Sequence, residues 1–136
     1  MMNSAGFEES QHTADWALHV WAPTMISLFE QAARGLNALA GIQLALEPRF
    51  RKEFVYSGID TESLLVGFLS ELVYEIEQEG HGFDSFDIHI EGYQLQVVMD
   101  GAPLVALTKA IKAVTFHNLK IQKDRQGFDV EIVLDV

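Results

Sequence analysis

The last nine residues, Phe128-Asp129-Val130-Glu131-Ile132-Val133-Leu134-Asp135-Val136, read as one unbroken β-strand running to the end of the chain. Such a strand needs a neighbour, because its backbone N–H and C=O groups must be paired wherever they are buried. The first alternating segment, 12–21, is the candidate. Ala14, Trp16, Leu18 and Val20 share one face of it, and Asp15 and His19 share the other. If these two strands pair, the side chains of Asp15 and Asp135 and the α-carboxylate of Val136 meet in one place. A cluster of hard oxygens of that kind is a cation site, suited to calcium or magnesium more than to zinc.

At 136 residues the chain is one domain, 1–136, long enough to bury a core, with residues 1–10 expected to be flexible. It has no cysteine, which excludes disulfides, thiolate zinc sites and cysteine catalysis and fits a cytoplasmic, reducing compartment. The polar, acidic start has no apolar core of a signal peptide, and no stretch approaches the roughly twenty apolar residues of a membrane span. The net charge is −11, which disfavours stable direct binding to nucleic acid. Between Glu53 and Thr108 there is no Lys or Arg; the basic residues gather at Arg49, Arg51 and Lys52 and at Lys109, Lys112, Lys120, Lys123 and Arg125. That split reads either as an ordinary solvated surface or as an acidic face that docks on a basic partner.

Pro23-Thr24 opens a helix, with Thr24 as N-cap and apolar residues Met25, Leu28, Phe29, Ala32, Leu36 and Leu39 before a stop at Gly41. Phe50 to Ser57 reads as a strand. Asp60 caps a second helix with a broad apolar stripe, Leu64 to Ile76, ending at Gly80. Phe86–Glu91 and Leu95–Met99 form a hairpin around Gly92, with a second turn expected at Asp100-Gly101. Ala113 to Ile121 is rich in β-formers, and a turn at 124–127 leads into the final strand. Six or seven strands and two long helices make an α+β two-layer sandwich, a mostly antiparallel or mixed sheet with both helices on one face.

Phosphate-binding loops, the GxSxG elbow and HExxH are absent. Three constellations remain. His12, Asp15 and Asp135 are the candidate cation set, although His12 can equally cap a strand start and Asp15 can be a solvated strand residue. Lys112, inside the apolar run Ala110 to Phe116, either snorkels to solvent or, with His117, meets phosphate or a partner carboxylate. On the second helix Glu71 is the residue that packing leaves unexplained.

Taken in order, His12-Thr13-Ala14-Asp15, Leu64-Leu65-Val66 with Leu69 and Glu71-Leu72, Ile111-Lys112-Ala113-Val114-Thr115-Phe116-His117 and the terminal Asp135-Val136 resemble the archease family from about residue 10 onward. Gly67 and Phe68 depart from it, standing where the family more often has an acidic residue and a tryptophan. The resemblance implies a protein cofactor rather than an enzyme. Its partner would be a GTP-dependent RNA ligase of the RtcB type, active in tRNA splicing and RNA repair, which it helps to guanylylate and turn over repeatedly. It implies a divalent cation, often calcium, held by Asp15, Asp135 and Val136 with His12 nearby, while Lys112, His117 and Glu71 would serve the partner. The competing readings are a chaperone or modulator of a tRNA cytosine methyltransferase, and a metal-dependent phosphotransferase or hydrolase using the same carboxylates.

Overall fold

The computed structural model describes residues 4–116 and 118–136 apart from 12–15, with residue 11 in its backbone alone. His12, Asp15 and His117 therefore lie outside the described residues. The elements run β1 (Gly6–Gln11), β2 (Trp16–Ala22), α1 (Met25–Ala40), β3 (Gln43–Leu44), β4 (Phe50–Ser57), α2 (Thr61–Tyr74), a π-helical turn (Glu75–Glu79), β5 (His81–Glu91), β6 (Gln94–Ala106), β7 (Ala113–Thr115), β8 (Gln122–Asp124) and β9 (Gly127–Asp135).

The fold is α+β, with two helices and antiparallel sheets. The strands form two sheets where a single one was expected. One has the order β1-β2-β9-β7, with β8 also on β9; in the other, β6 pairs with β3, β4 and β5. Every pairing is antiparallel. Helix α1 packs on β1, β2 and β9 of the first sheet and on β5 of the second, and α2 packs on β7 and β4. A helix pressed between two sheets buries more than one face. Leu64, Leu65, Val66, Phe68, Leu69, Leu72 and Val73 of α2 are all buried, so its broad apolar stripe is the signal for the second sheet. One core draws on both sheets and both helices, including Leu18, Phe29, Phe68, Leu95, Met99 and Ile132.

Local chemistry sets the helix ends. The Ser27 amide donates to Thr24 Oγ1 at 3.1 Å and the Thr24 amide to Ser27 Oγ at 3.2 Å, a reciprocal cap. Asp60 and Ser63 repeat it on α2, at 2.8 and 3.1 Å. Gly41 and Gly80 close the two helical runs in the left-handed region, at φ 65° and 67°. Gly67, a poor helix former, faces the Tyr56 ring of β4, which occupies the space a Cβ would need.

Three expectations are corrected. Residues 6–10 belong to a strand: β1 pairs with β2 from Gly6↔Trp21 to Gln11↔Trp16. Glu8, Glu9, Ser10 and Gln11 are weak strand formers, and a neighbouring strand edge together with Phe7 packing on the core overrides their propensity. Asp100-Gly101 is no turn but the middle of β6, where Gly101 passes so close to the Gly82 backbone that no side chain fits. The β-rich run 113–121 is a strand only to Thr115. Asn118 takes a left-handed φ of 53°, and the Ile121 amide donates to Glu62 Oε2 at 3.1 Å rather than to a strand. Among the described residues, no helix is long and apolar enough to cross a membrane.

Candidate cation and partner site

The alternation of β9 decides which side chains the site can use. Val130, Ile132 and Leu134 point into the core, while Glu131 and Asp135 are exposed on the other face. Strand β2 runs antiparallel beside it, in a register that ends among the described residues at Trp16↔Leu134. Asp15 is one peptide bond before Trp16, and Asp135 one bond after Leu134. The expected pairing with the terminal strand is therefore present for Trp16–Trp21; residues 12–15 of that segment lie outside the described residues, and Asp135 is next in sequence after Leu134.

On the other side of β9, β7 brings Ala113 opposite Asp135, and the Lys112 amide donates to the Asp135 carbonyl at 2.7 Å. The structure thus brings Asp135, Val136 and Lys112 together. Val136 packs half-buried against the core, and the Lys112 side chain stands exposed, forming no ion pair among the described residues. It rims a groove whose other wall is α2 and the following turn, through Ser70, Tyr74, Glu77 and Gln78. The loop before it is fastened to the end of α1, where the amides of Thr108 and Lys109 both reach the Ala40 carbonyl at 3.0 Å.

Two participants escaped the sequence reading. Lys109 Nζ lies 3.7 Å from the centre of the Trp16 ring, a cation–π contact worth about 0.5–1 kcal/mol at an exposed position. It ties the loop before Lys112 to the residue after Asp15. Ser10 Oγ is buried and has no hydrogen-bond partner among the described residues. Ser10 pairs with Ala17 and Ala17 with Val133, so it shares the face of Asp135 two residues further along β9. The exposed Asp135 carboxylate is a hard oxygen donor of the kind that calcium and magnesium take.

Glu71 is not brought to this place. Its carboxylate lies 2.8 Å from Lys52 Nζ of β4, which also meets Glu75 Oε2 at 2.7 Å; Glu75 Oε1 faces His81 Nδ1 at 3.2 Å. Burial pulls the Lys52 pKa down, but the bonds to Glu71 and Glu75 outweigh it and hold the ammonium above its ordinary range. Two like charges at i, i+4 on an otherwise apolar helix were the available sign that a cation arrives from another element. Arg49 and Arg51 are likewise engaged. Arg49 grips Asp84 with two bonds of 3.1 and 2.7 Å, and Arg51 Nε meets Asp100 at 3.2 Å. The basic cluster at 49–52 therefore neutralises acidic residues from the lysine- and arginine-free stretch. Among the described residues, no group of three or more His, Asp or Glu has metal-binding geometry.

The comparisons with known proteins are consistent along the whole chain. The model of the Archease protein family matches residues 7–136. A protein archease of Methanopyrus kandleri is 33% identical over 138 residues, covering 96% of this chain and 99% of that protein. Its counterpart in Thermococcus kodakarensis is 31% identical, covering 89% and 91%. The crystal structure of an archease from Thermotoga maritima, described as a possible chaperone, superposes with a TM-score of 0.70 at 27% identity, covering 95% of this chain and 96% of that one. A solution structure from Methanobacterium thermoautotrophicum shares the fold, with a TM-score of 0.70 at 22% identity. With a family model spanning nearly all of the chain, this protein belongs to the archease family.

Proposed function

We propose that this archease is a protein cofactor, without an enzymatic activity of its own, for a GTP-dependent RNA ligase of the RtcB type. It would promote guanylylation and repeated turnover in tRNA splicing and RNA repair. The observation that carries the reading is the junction of β7 and β9, where the Lys112 amide bonds the Asp135 carbonyl. A carboxylate at the end of β9 and an exposed lysine just before β7 are the groups needed to handle a cation and a phosphate together. Asp135, Asp15 and the Val136 carboxylate, with His12 nearby, would hold a divalent ion such as calcium or magnesium. That ion would supply a fixed positive charge at the partner surface, and Lys112 and His117 would meet the partner's phosphate or carboxylate groups.

The test is multiple-turnover RNA ligation by an RtcB-type ligase at substoichiometric enzyme, with and without this protein and with and without divalent cation. Several turnovers per ligase are expected with it and about one without. Equal turnover in both arms refutes the reading. If the ligase is unaffected while a tRNA cytosine methyltransferase stays soluble longer in its presence, the chaperone reading replaces it.

A further inference from the structure

We propose that His19 is a pH-dependent clasp holding the outer strand β1 to its sheet, closed when the imidazole is protonated and loosened when it is neutral. The inference is independent of the ligase reading. Strand β1 is the edge of the first sheet and, among the described residues, pairs only with β2. Phe7 is its one large apolar side chain, so side-chain contacts on its outer face weigh heavily in whether it stays down.

His19 stands at the centre of β2 on that outer face. The register sets Glu8 of β1 directly on one side of it and Glu131 of β9 on the other. Its two ring nitrogens face carboxylates of different strands. Nε2 is 3.1 Å from Asp129 Oδ2 of β9, and Nδ1 is 3.7 Å from Glu8 Oε1 of β1. The Trp21 ring of the same strand lies 5.3 Å away, and Asp124 of β8 lines the same cleft as His19. Lys123 of β8 is turned to the Phe128 ring at 5.7 Å.

A neutral imidazole carries one N–H and one lone pair. Donating from Nε2 to Asp129, it leaves a bare Nδ1 facing the Glu8 carboxylate at 3.7 Å. The imidazolium bonds Asp129, turns its second N–H to Glu8 in an ion pair at 3.7 Å, and sets a positive charge among Glu8, Asp129 and Glu131. Protonation thus turns a repulsive row across three strands into a bridge from β9 through β2 to β1.

The test is amide hydrogen exchange by NMR on the full chain between about pH 5.5 and pH 8, the window in which histidines change charge. Rates are divided by the intrinsic rate at each pH. Protection of the β1 amides relative to those of β6 should fall about two- to fivefold across the window, the range of a partly exposed ion pair. In His19→Gln the β1 protection should be independent of pH, and in Glu8→Gln the dependence should be reduced. A flat profile in the wild type, or an unchanged slope in either variant, overturns the proposal.

Discussion

Glu75→Ala should be among the most destabilising changes of a charged residue in the π-helical turn after α2, although Glu75 has no place in the proposed site. Its side chain is 5% exposed, and both oxygens are used, by Lys52 at 2.7 Å and by His81 at 3.2 Å. Removing one member of a buried ion pair costs about 3–5 kcal/mol, because the remaining charge is left without compensation. Lys52 is a third exposed and keeps Glu71 at 2.8 Å, so the cost here is lower, about 2–3 kcal/mol. For a chain between the small and the mid-sized domains, that corresponds to a fall in Tm of about 6–15 °C. The assay is urea denaturation of Glu75→Ala, Lys52→Met and the double variant. A coupling of about 1–2 kcal/mol is expected, since the two residues touch. The pH dependence has a definite sign. Lys52 has a raised pKa in the folded protein, so its contribution is complete below the unfolded value of about 10.4 and disappears as pH rises through the folded one. The cost of Glu75→Ala should therefore shrink in strongly alkaline solution. A loss below about 0.5 kcal/mol, the level of an ordinary surface change, or strict additivity with Lys52→Met, would refute the reasoning.

Asp15→Ala and Asp135→Ala should each abolish the rise in Tm that calcium gives the wild type, because a ligand bound only by the folded state stabilises it by mass action. Retention of the full calcium shift by both variants would dispose of a shared cation. Lys112→Met keeps the stem and removes the charge, so urea denaturation should show a change below about 1 kcal/mol. Ligase turnover in its presence should nevertheless drop towards the value without the protein, and full stimulation would reduce Lys112 to a solvated side chain. The Arg49–Asp84 pair should behave as an acid-sensitive tie. The Arg49 hydrogen bonds hold the Asp84 pKa below the carboxylate range, against the smaller, raising effect of burial. Its contribution is thus present above the unfolded value of about 3.9 and lost as pH falls through the folded one. The Tm gap between wild type and Arg49→Gln should narrow as pH falls below about 4; a gap that stays constant or widens on acidification would contradict it.

What the chain reveals before folding depends on whether the deciding interaction is local. Thr24, Gly41, Asp60 and Gly92 were legible as caps and turns because each acts on its own neighbours within four residues. Strand β1 was not, since Glu8-Glu9-Ser10-Gln11 becomes a strand only when the edge of β2 is beside it. The second sheet was hidden for a similar reason: the number of faces that α2 buries can be counted from its apolar residues, but what covers each face depends on distant strands. At the site, the pairing of Trp16–Trp21 with the terminal strand followed from alternation, and the register carries Asp135 to the end of it. Lys112 was found as a charge in an apolar run, and its bond to Asp135 explains why the run tolerates it: β7 is held by its backbone, which leaves the side chain free to face solvent. Glu71 shows the opposite case. Packing alone did not account for it, and the missing term was Lys52, nineteen residues away in sequence and on another element. A charged residue on a buried helix therefore signals either function or a distant counter-charge. Only the sheet register, by deciding which lysine stands opposite, separates the two. That is why the exposed Lys112 remains a candidate for activity, and Glu71, closed into its ion pair, accounts for stability.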